Sequence, residues 1–132
     1  MIQNITYKKK TLAIIIKNKY LKKKGINFFT NNKLSQQVAF MRHNKGHVIQ
    51  PHLHKKRLKK IYDTTEALII LDGDLKVDFY NNKKKYLFSK ILRKNDIIIL
   101  LTGGHGFKVL KNCKFIEVKQ GPYNAKKDKY KF

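Results

Sequence analysis

The donor chemistry and spacing of a metal site appear in His52, His54, Glu66 and His105. Three imidazoles and one carboxylate suit a first-row dication such as Zn, Fe, Mn, Ni or Co. His52 and His54 are two residues apart, so on a strand both rings leave the same face, shared with Val48 and Gln50. Glu66 shares its face with Leu68 and Ile70, and His105 shares its own with Phe107 and Val109. Each donor thus falls on the apolar side of an expected strand, where a polar group needs a partner. An ion held by all of them would supply that partner and keep a coordination position open for chemistry.

Positioning these residues is a task for strands. Period-2 alternation recurs along the chain and helical periodicity is nearly absent. Strands are expected at Thr11 to Ile16, Val38 to His43, His47 to His54, Leu68 to Leu71, Leu75 to Phe79, Tyr86 to Leu92, Ile97 to Leu101, His105 to Leu110 and Phe115 to Gln120. Asp72-Gly73 has the composition of a two-residue hairpin turn. Asn81-Asn82, Lys94 to Asp96 and the turn-like Lys111 to Lys114 separate further strands, and Gly103-Gly104 breaks the chain before His105. Short strands punctuated this often predict an all-β sandwich or antiparallel β-barrel. The 132 residues suit one domain: strands and an arm over 1–35, a core over 36–120, and a basic tail over 121–132 that wraps back through Tyr123, Tyr130 and Phe132 or frays.

The same residues lie in a longer frame. Gly46 is followed after five residues by His52-Leu53-His54, then after eleven by Glu66, then after six by Gly73, with Pro51 just before the first imidazole. A second stretch runs Asn95-Asp96, Ile97 to Leu101, then Thr102-Gly103-Gly104-His105. This arrangement resembles the two motifs of the cupin superfamily over residues 36–120. Asn95 stands where the family has glycine, the stretch before His105 is shorter than the family's Pro-x-Gly-x-x-His, and the gap before Glu66 is longer than in the founding pattern. The resemblance implies a small antiparallel β-barrel, or jelly roll, with His52, His54, Glu66 and His105 as ligands of a divalent metal ion. It also implies a homodimer.

Around that centre, residues 55–65 carry five basic side chains in eleven, Lys55, Lys56, Arg57, Lys59 and Lys60, which the resemblance places at the barrel mouth. They either recruit an anionic substrate or reflect the lysine richness of the whole chain. Arg57 stands out because arginine is scarce. Arg42 shares the parity of Val38 and Phe40 and is expected to point inward, where it needs a carboxylate such as Glu117 or an anionic ligand. Arg42, Gln50, Arg57 and Glu117 are therefore candidate substrate contacts. Tyr62 and Tyr123 are candidate proton-transfer groups, whereas His47 is off-parity with His52 and faces away. Gly103-Gly104-His105-Gly106 lacks the Lys-Ser/Thr ending of a phosphate loop.

Composition narrows the functional classes. The net charge is +23, but 28 of the 31 basic residues are lysine and only Arg42, Arg57 and Arg93 are arginine. Base and phosphate readers lean on the planar arginine fork, so specific nucleic-acid binding is the least favoured reading. The apolar runs are about five residues long, too short for a membrane helix, and no signal peptide opens the chain. A lone cysteine, Cys113, allows no internal disulfide, as in a reducing cytoplasm. The readings that remain are a metal-dependent enzyme on a small anionic molecule, an isomerase or epimerase of sugar phosphates or nucleotide sugars or an Fe(II) dioxygenase, and a sugar- or carboxylate-binding module without turnover.

Overall fold

The computed structural model describes residues 2–132. It is all-β and antiparallel. Strand β1 (Ile2–Tyr7) and strand β2 (Lys10–Ile16) form a hairpin around Lys8-Lys9. Both lysines have positive φ (45° and 65°), as a tight turn matched to the strand twist requires. A 3₁₀ turn at Asn18–Tyr20 leads to β3 (Gly25–Phe28), which pairs with β4 (Ala39–Arg42) as a separate two-stranded sheet. After residues 43–65 come β5 (Glu66–Tyr80), β6 (Tyr86–Arg93), β7 (Ile97–Leu100) and β8 (Gly104–Lys119). The main sheet runs β1-β2-β7-β5-β6, and β8 lies along the other edge of β5.

β5 is the spine. Its first residues, Glu66 to Ile69, pair with β7, and Asp74 to Tyr80 pair with β6. β8 accompanies it from Glu66, opposite Lys119, to Tyr80, opposite Gly104. Between Ile70 and Leu75 the register against β8 slips repeatedly, and Gly73 sits at φ +80°. Leu68 and Phe79 would lie ~36 Å apart on a straight strand at ~3.3 Å per residue. Instead Leu68, Ile70, Leu75, Val77 and Phe79 share one core with Ile5, Leu12, Ile15, Leu92, Ile98 and Leu100. The β5/β8 ribbon is therefore bent back on itself, and the core fills the concave side.

The opposite face of β2 and β7 is also covered. Ile14, Ile16, Ala67, Ile99 and Leu101 pack against Leu21, Phe29, Leu34 and Val38 from the connection before β4. Burial on both faces explains why Leu12 to Ile16 and Ile97 to Leu101 are continuous apolar runs rather than alternating ones. The turn between β6 and β7 is fixed by the buried carboxylate of Asp96. Its Oδ2 accepts from Lys17 Nζ (2.8 Å) and the Arg93 amide (2.9 Å), and its Oδ1 from the Asn18 amide (3.0 Å). Beside it Asn95 takes φ +64°, the left-handed geometry that asparagine tolerates.

Several expectations need correction. Asp72-Gly73 is no hairpin turn, and Lys111 to Lys114 is no turn. The two sites oppose each other inside β5 and β8, with Asp72 across from Lys114 and Asp74 from Lys111. Their turn-forming composition serves the bend. Residues His47 to His54 form no strand, for Pro51 offers no N–H and Val48 (67% exposed) and Leu53 (96% exposed) meet no partner surface. Residues 2–16 are integral to the main sheet. The sheet does not close into a barrel, because β1, β6 and β8 each keep one unpaired edge among the described residues. No helix among them is long and apolar enough to cross a membrane.

A Cβ at residue 73 would lie 1.9 Å from the Asn112 carbonyl oxygen, whereas one at Gly46, also at positive φ (+83°), would meet nothing within 4 Å. Gly73→Ala is expected to cost roughly 3 kcal/mol or more and Gly46→Ala only about 1 kcal/mol, read from urea unfolding midpoints. Asp96→Ala, which orphans three donors, is expected to cost about 2–3 kcal/mol in the same measurement.

Candidate functional site

Glu66 opens β5 on the concave face, and His105 lies on β8 opposite Phe79. Thirteen residues of extended chain would separate these levels by ~43 Å. The bend at Gly73 and the short Leu101 to Gly103 crossing bring the two side chains together, with His105 Nε2 3.0 Å from Glu66 Oε2. Glu66 is buried, and Oε2 has no aligned hydrogen-bond donor, so the imidazole stands beside it off the line of an ideal bond.

The approach to Glu66 is held by a polar clasp. The Thr65 amide donates to Gln120 Oε1 (2.8 Å), Thr65 Oγ1 donates to Gln36 Oε1 (2.7 Å), and Gln120 Nε2 donates to Thr65 Oγ1 (2.7 Å). Gln36 Nε2 in turn reaches the Val118 carbonyl (3.2 Å). Three chain segments thereby fix the residue before the carboxylate.

Glu66 and His105 border an open cavity of about 1190 Å³ whose walls include Tyr62, Tyr80, Lys119 and Lys129. The tail forms part of that wall. The Phe132 ring meets Tyr80 edge-on at 5.2 Å, and the Lys84 ammonium sits 4.3 Å from the centre of the Tyr130 ring. A Cβ on Gly104 would approach Phe132 Cζ to 3.0 Å, so a glycine there lets the ring close onto the strand. The electrostatics of the cavity are cationic. The neighbouring imidazole of His105 holds the Glu66 carboxyl below its ordinary 4.5; burial opposes this, and the charges of His105, Lys129 and Lys119 reinforce it.

The structure brings together two of the four expected metal ligands. His52 and His54 lie on the exposed segment 43–65, their rings edge to face at 5.3 Å, with His52 Nδ1 2.9 Å from the Gln50 carbonyl. Among the described residues no three His, Cys, Asp or Glu side chains gather as a metal group. A structural zinc takes four protein ligands and a catalytic one three. Glu66 and His105 alone do not fit a bound divalent ion in this arrangement.

The other candidates divide likewise. Tyr62 lines the cavity. Tyr123 is exposed, with the Lys119 ammonium 4.9 Å from its ring centre. Arg42 does not point inward: it is exposed and donates to the Lys22 carbonyl (2.8 Å), because β4 pairs with β3 rather than joining the main sheet. Glu117 pairs with Lys119 (3.6 Å), not with Arg42. Gln50 is exposed, and Arg57 lines a shallow basic hollow with His54, Lys55, Lys56 and Lys59, apart from the main cavity. His47 stacks on His43 at 4.0 Å. Sequence reasoning missed Lys119, Lys129 and the Gln36–Thr65–Gln120 clasp. The lysines carry no distinguishing signal in so basic a chain, and the clasp joins residues 29 and 55 positions apart.

Because the carboxyl of Glu66 is depressed on folding, its contribution is complete above the unfolded value of 4.5 and is lost as pH falls through the lower folded value. Urea unfolding between pH 6 and pH 3 is expected to show a fall in stability that Glu66→Gln makes shallower. No family model, curated protein or solved structure matches the chain.

Proposed function

We propose that this chain is a small cupin-like protein that takes an anionic small molecule, of the sugar-phosphate or nucleotide-sugar kind, into the cavity beside Glu66 and His105 and acts on it as an isomerase or epimerase. The observation that carries this reading is the 3.0 Å approach of a buried carboxylate to an imidazole in a cavity also walled by Lys119 and Lys129. An isomerase or epimerase moves a proton on and off a carbon next to a carbonyl. Such a step needs a group that accepts the proton and returns it, and an imidazole beside a carboxylate is suited to both. Glu66 lies beside the ring and balances the charge that His105 acquires. The ammonium groups of Lys119 and Lys129 hold the phosphate, and Tyr62 brings a phenolic hydroxyl to the wall. A divalent ion enters this reading only with a rearrangement of residues 43–65 that carries His52 and His54 from their exposed positions to the pair.

Thermal-shift titrations at ~150 mM salt with inorganic phosphate, a hexose phosphate, a nucleotide sugar and the parent neutral sugar test the reading, since that salt screens exposed charges beyond ~8 Å. The phosphorylated compounds are expected to raise the melting temperature and the neutral sugar is not. Lys129→Ala is expected to weaken phosphate-compound binding about tenfold, about 1.4 kcal/mol. His105→Ala is expected to retain binding and lose exchange of the substrate's carbon-bound proton with solvent deuterium. Equal shifts with phosphorylated and neutral sugars would count against it.

A further inference from the structure

We infer that residues 121–132 are a lid over the cavity, latched by the Lys84 ammonium on the rings of Tyr130 and Phe132, and that this latch sets how freely solutes reach the Glu66–His105 pair. The inference concerns access and holds whatever molecule the cavity takes.

The segment leaves a fixed point. Gln120, just past the end of β8, is tied to Thr65, and Gly121-Pro122 follows. Beyond it the hydrogen bonds are internal. Asn124 Oδ1 accepts from the Lys126 amide (3.0 Å), and the Asn124 carbonyl accepts from the amides of Lys127 (3.1 Å) and Asp128 (2.9 Å). Among the described residues no hydrogen bond or ion pair joins residues 121–132 to the rest of the chain. Yet Asp128, Lys129, Tyr130, Lys131 and Phe132 all line the cavity. A stretch of backbone without bonded partners belongs to the least stable part of a fold, from which lids are drawn.

Aromatic rings hold it instead. Near its start the Lys119 ammonium lies 4.9 Å from the centre of the Tyr123 ring. At its far end Lys84 Nζ lies 4.3 Å from the centre of the Tyr130 ring and 5.8 Å from that of Phe132, and Phe132 meets Tyr80 edge-on at 5.2 Å. These rings are shallowly seated, for Tyr130 stays 77% exposed and Phe132 61%. Contacts of this strength shift an equilibrium only several-fold each, so the latch can release while the sheet stays folded. The post it fastens to is rigid. Lys84 takes φ +64° in the turn between β5 and β6. There Asn81 Oδ1 accepts from the amides of Lys83 (2.9 Å) and Lys85 (3.0 Å), and the Asn81 carbonyl accepts from the Lys84 amide (2.9 Å). The closed position also uses the bare backbone of Gly104, next to His105, where a Cβ would come within 3.0 Å of Phe132 Cζ. Closed, the lid brings the charge of Lys129 to bear on the Glu66 carboxyl. Opening withdraws that charge and uncovers the cavity in one movement.

Carbethoxylation of His105 by diethyl pyrocarbonate, followed peptide by peptide, reads access. The amide heteronuclear NOE of residues 129–132 reads attachment. Lys84→Gln removes the cation, Lys84→Arg keeps it, and Phe132→Ala removes a ring while leaving every charge in place. Lys84→Gln and Phe132→Ala are each expected to raise the His105 rate roughly two- to fivefold, the size of one exposed ring contact, and to lower the NOE. Lys84→Arg is expected to change neither, and the rate at exposed His52 is expected to be the same in every case. Equal His105 rates in the unsubstituted protein, Lys84→Gln and Phe132→Ala overturn the inference, whether or not the segment loosens. A Lys84→Arg variant as open as Lys84→Gln overturns it too, since the latch is then not the charge. Neither readout uses a phosphorylated ligand, so failure here is distinct from failure of the proposed function, which its own titrations decide.

Discussion

At residue 73 the backbone of β5 passes so close to the Asn112 carbonyl of β8 that a side chain has no room. That contact marks the bend of a ribbon whose two halves would otherwise be a long, flat, unstable pair of strands. Bent, the ribbon encloses its own apolar face. Leu68 and Ile70 from one half meet Leu75, Val77 and Phe79 from the other, and β1, β2, β6 and β7 need only supply the walls. Glu66 and His105 owe their meeting to the same bend. They sit at far ends of the paired strands in sequence and at one place in space.

The few acidic residues of this basic chain are placed at joints. Asp96 ties the turn before β7 to Lys17 and Asn18 after β2. Asp72 and Asp74, flanking the bend, lie 3.9 Å from Lys94 and Arg93. Asp78 accepts from Ser89 across the β5–β6 pair and meets Lys76 at 3.0 Å. Exposed pairs of this kind contribute little individually. The buried ones, Asp96 and Glu66, matter more: one is saturated by aligned donors and serves the fold, and the other retains an oxygen without an aligned donor and serves the cavity.

How much of this was legible in the sequence depended on range. Alternation in Leu75 to Phe79 and Tyr86 to Leu92, the turns at Asn81-Asn82 and Lys94 to Asp96, and the double-sided burial of Ile97 to Leu101 are local signals, and the strands formed where they pointed. Gly73 carried a true signal for a sharp change of direction with the wrong scale, because composition cannot tell a turn that reverses a chain from a bend that two strands share. β1 and β3 were not read, since Gln3-Asn4 interrupt the apolar positions of β1 and the four residues of β3 hold Asn27 between Ile26 and Phe28. At the site, Glu66 and His105 were readable as polar groups on apolar faces. His52 and His54 had the same parity argument, but parity holds only where a strand forms, and residues 43–65 form none. Lys119 and Lys129 were indistinguishable from the chain's other lysines.

The contact between Gly104 and Phe132 has an engineering corollary. The ring forms part of the cavity wall, and what admits it is a missing methyl group on the neighbouring strand. Adding that methyl presses first on Phe132 and on Tyr80. The shape of this cavity therefore depends on Gly104, Tyr80 and Phe132 as well as on the carboxylate–imidazole pair.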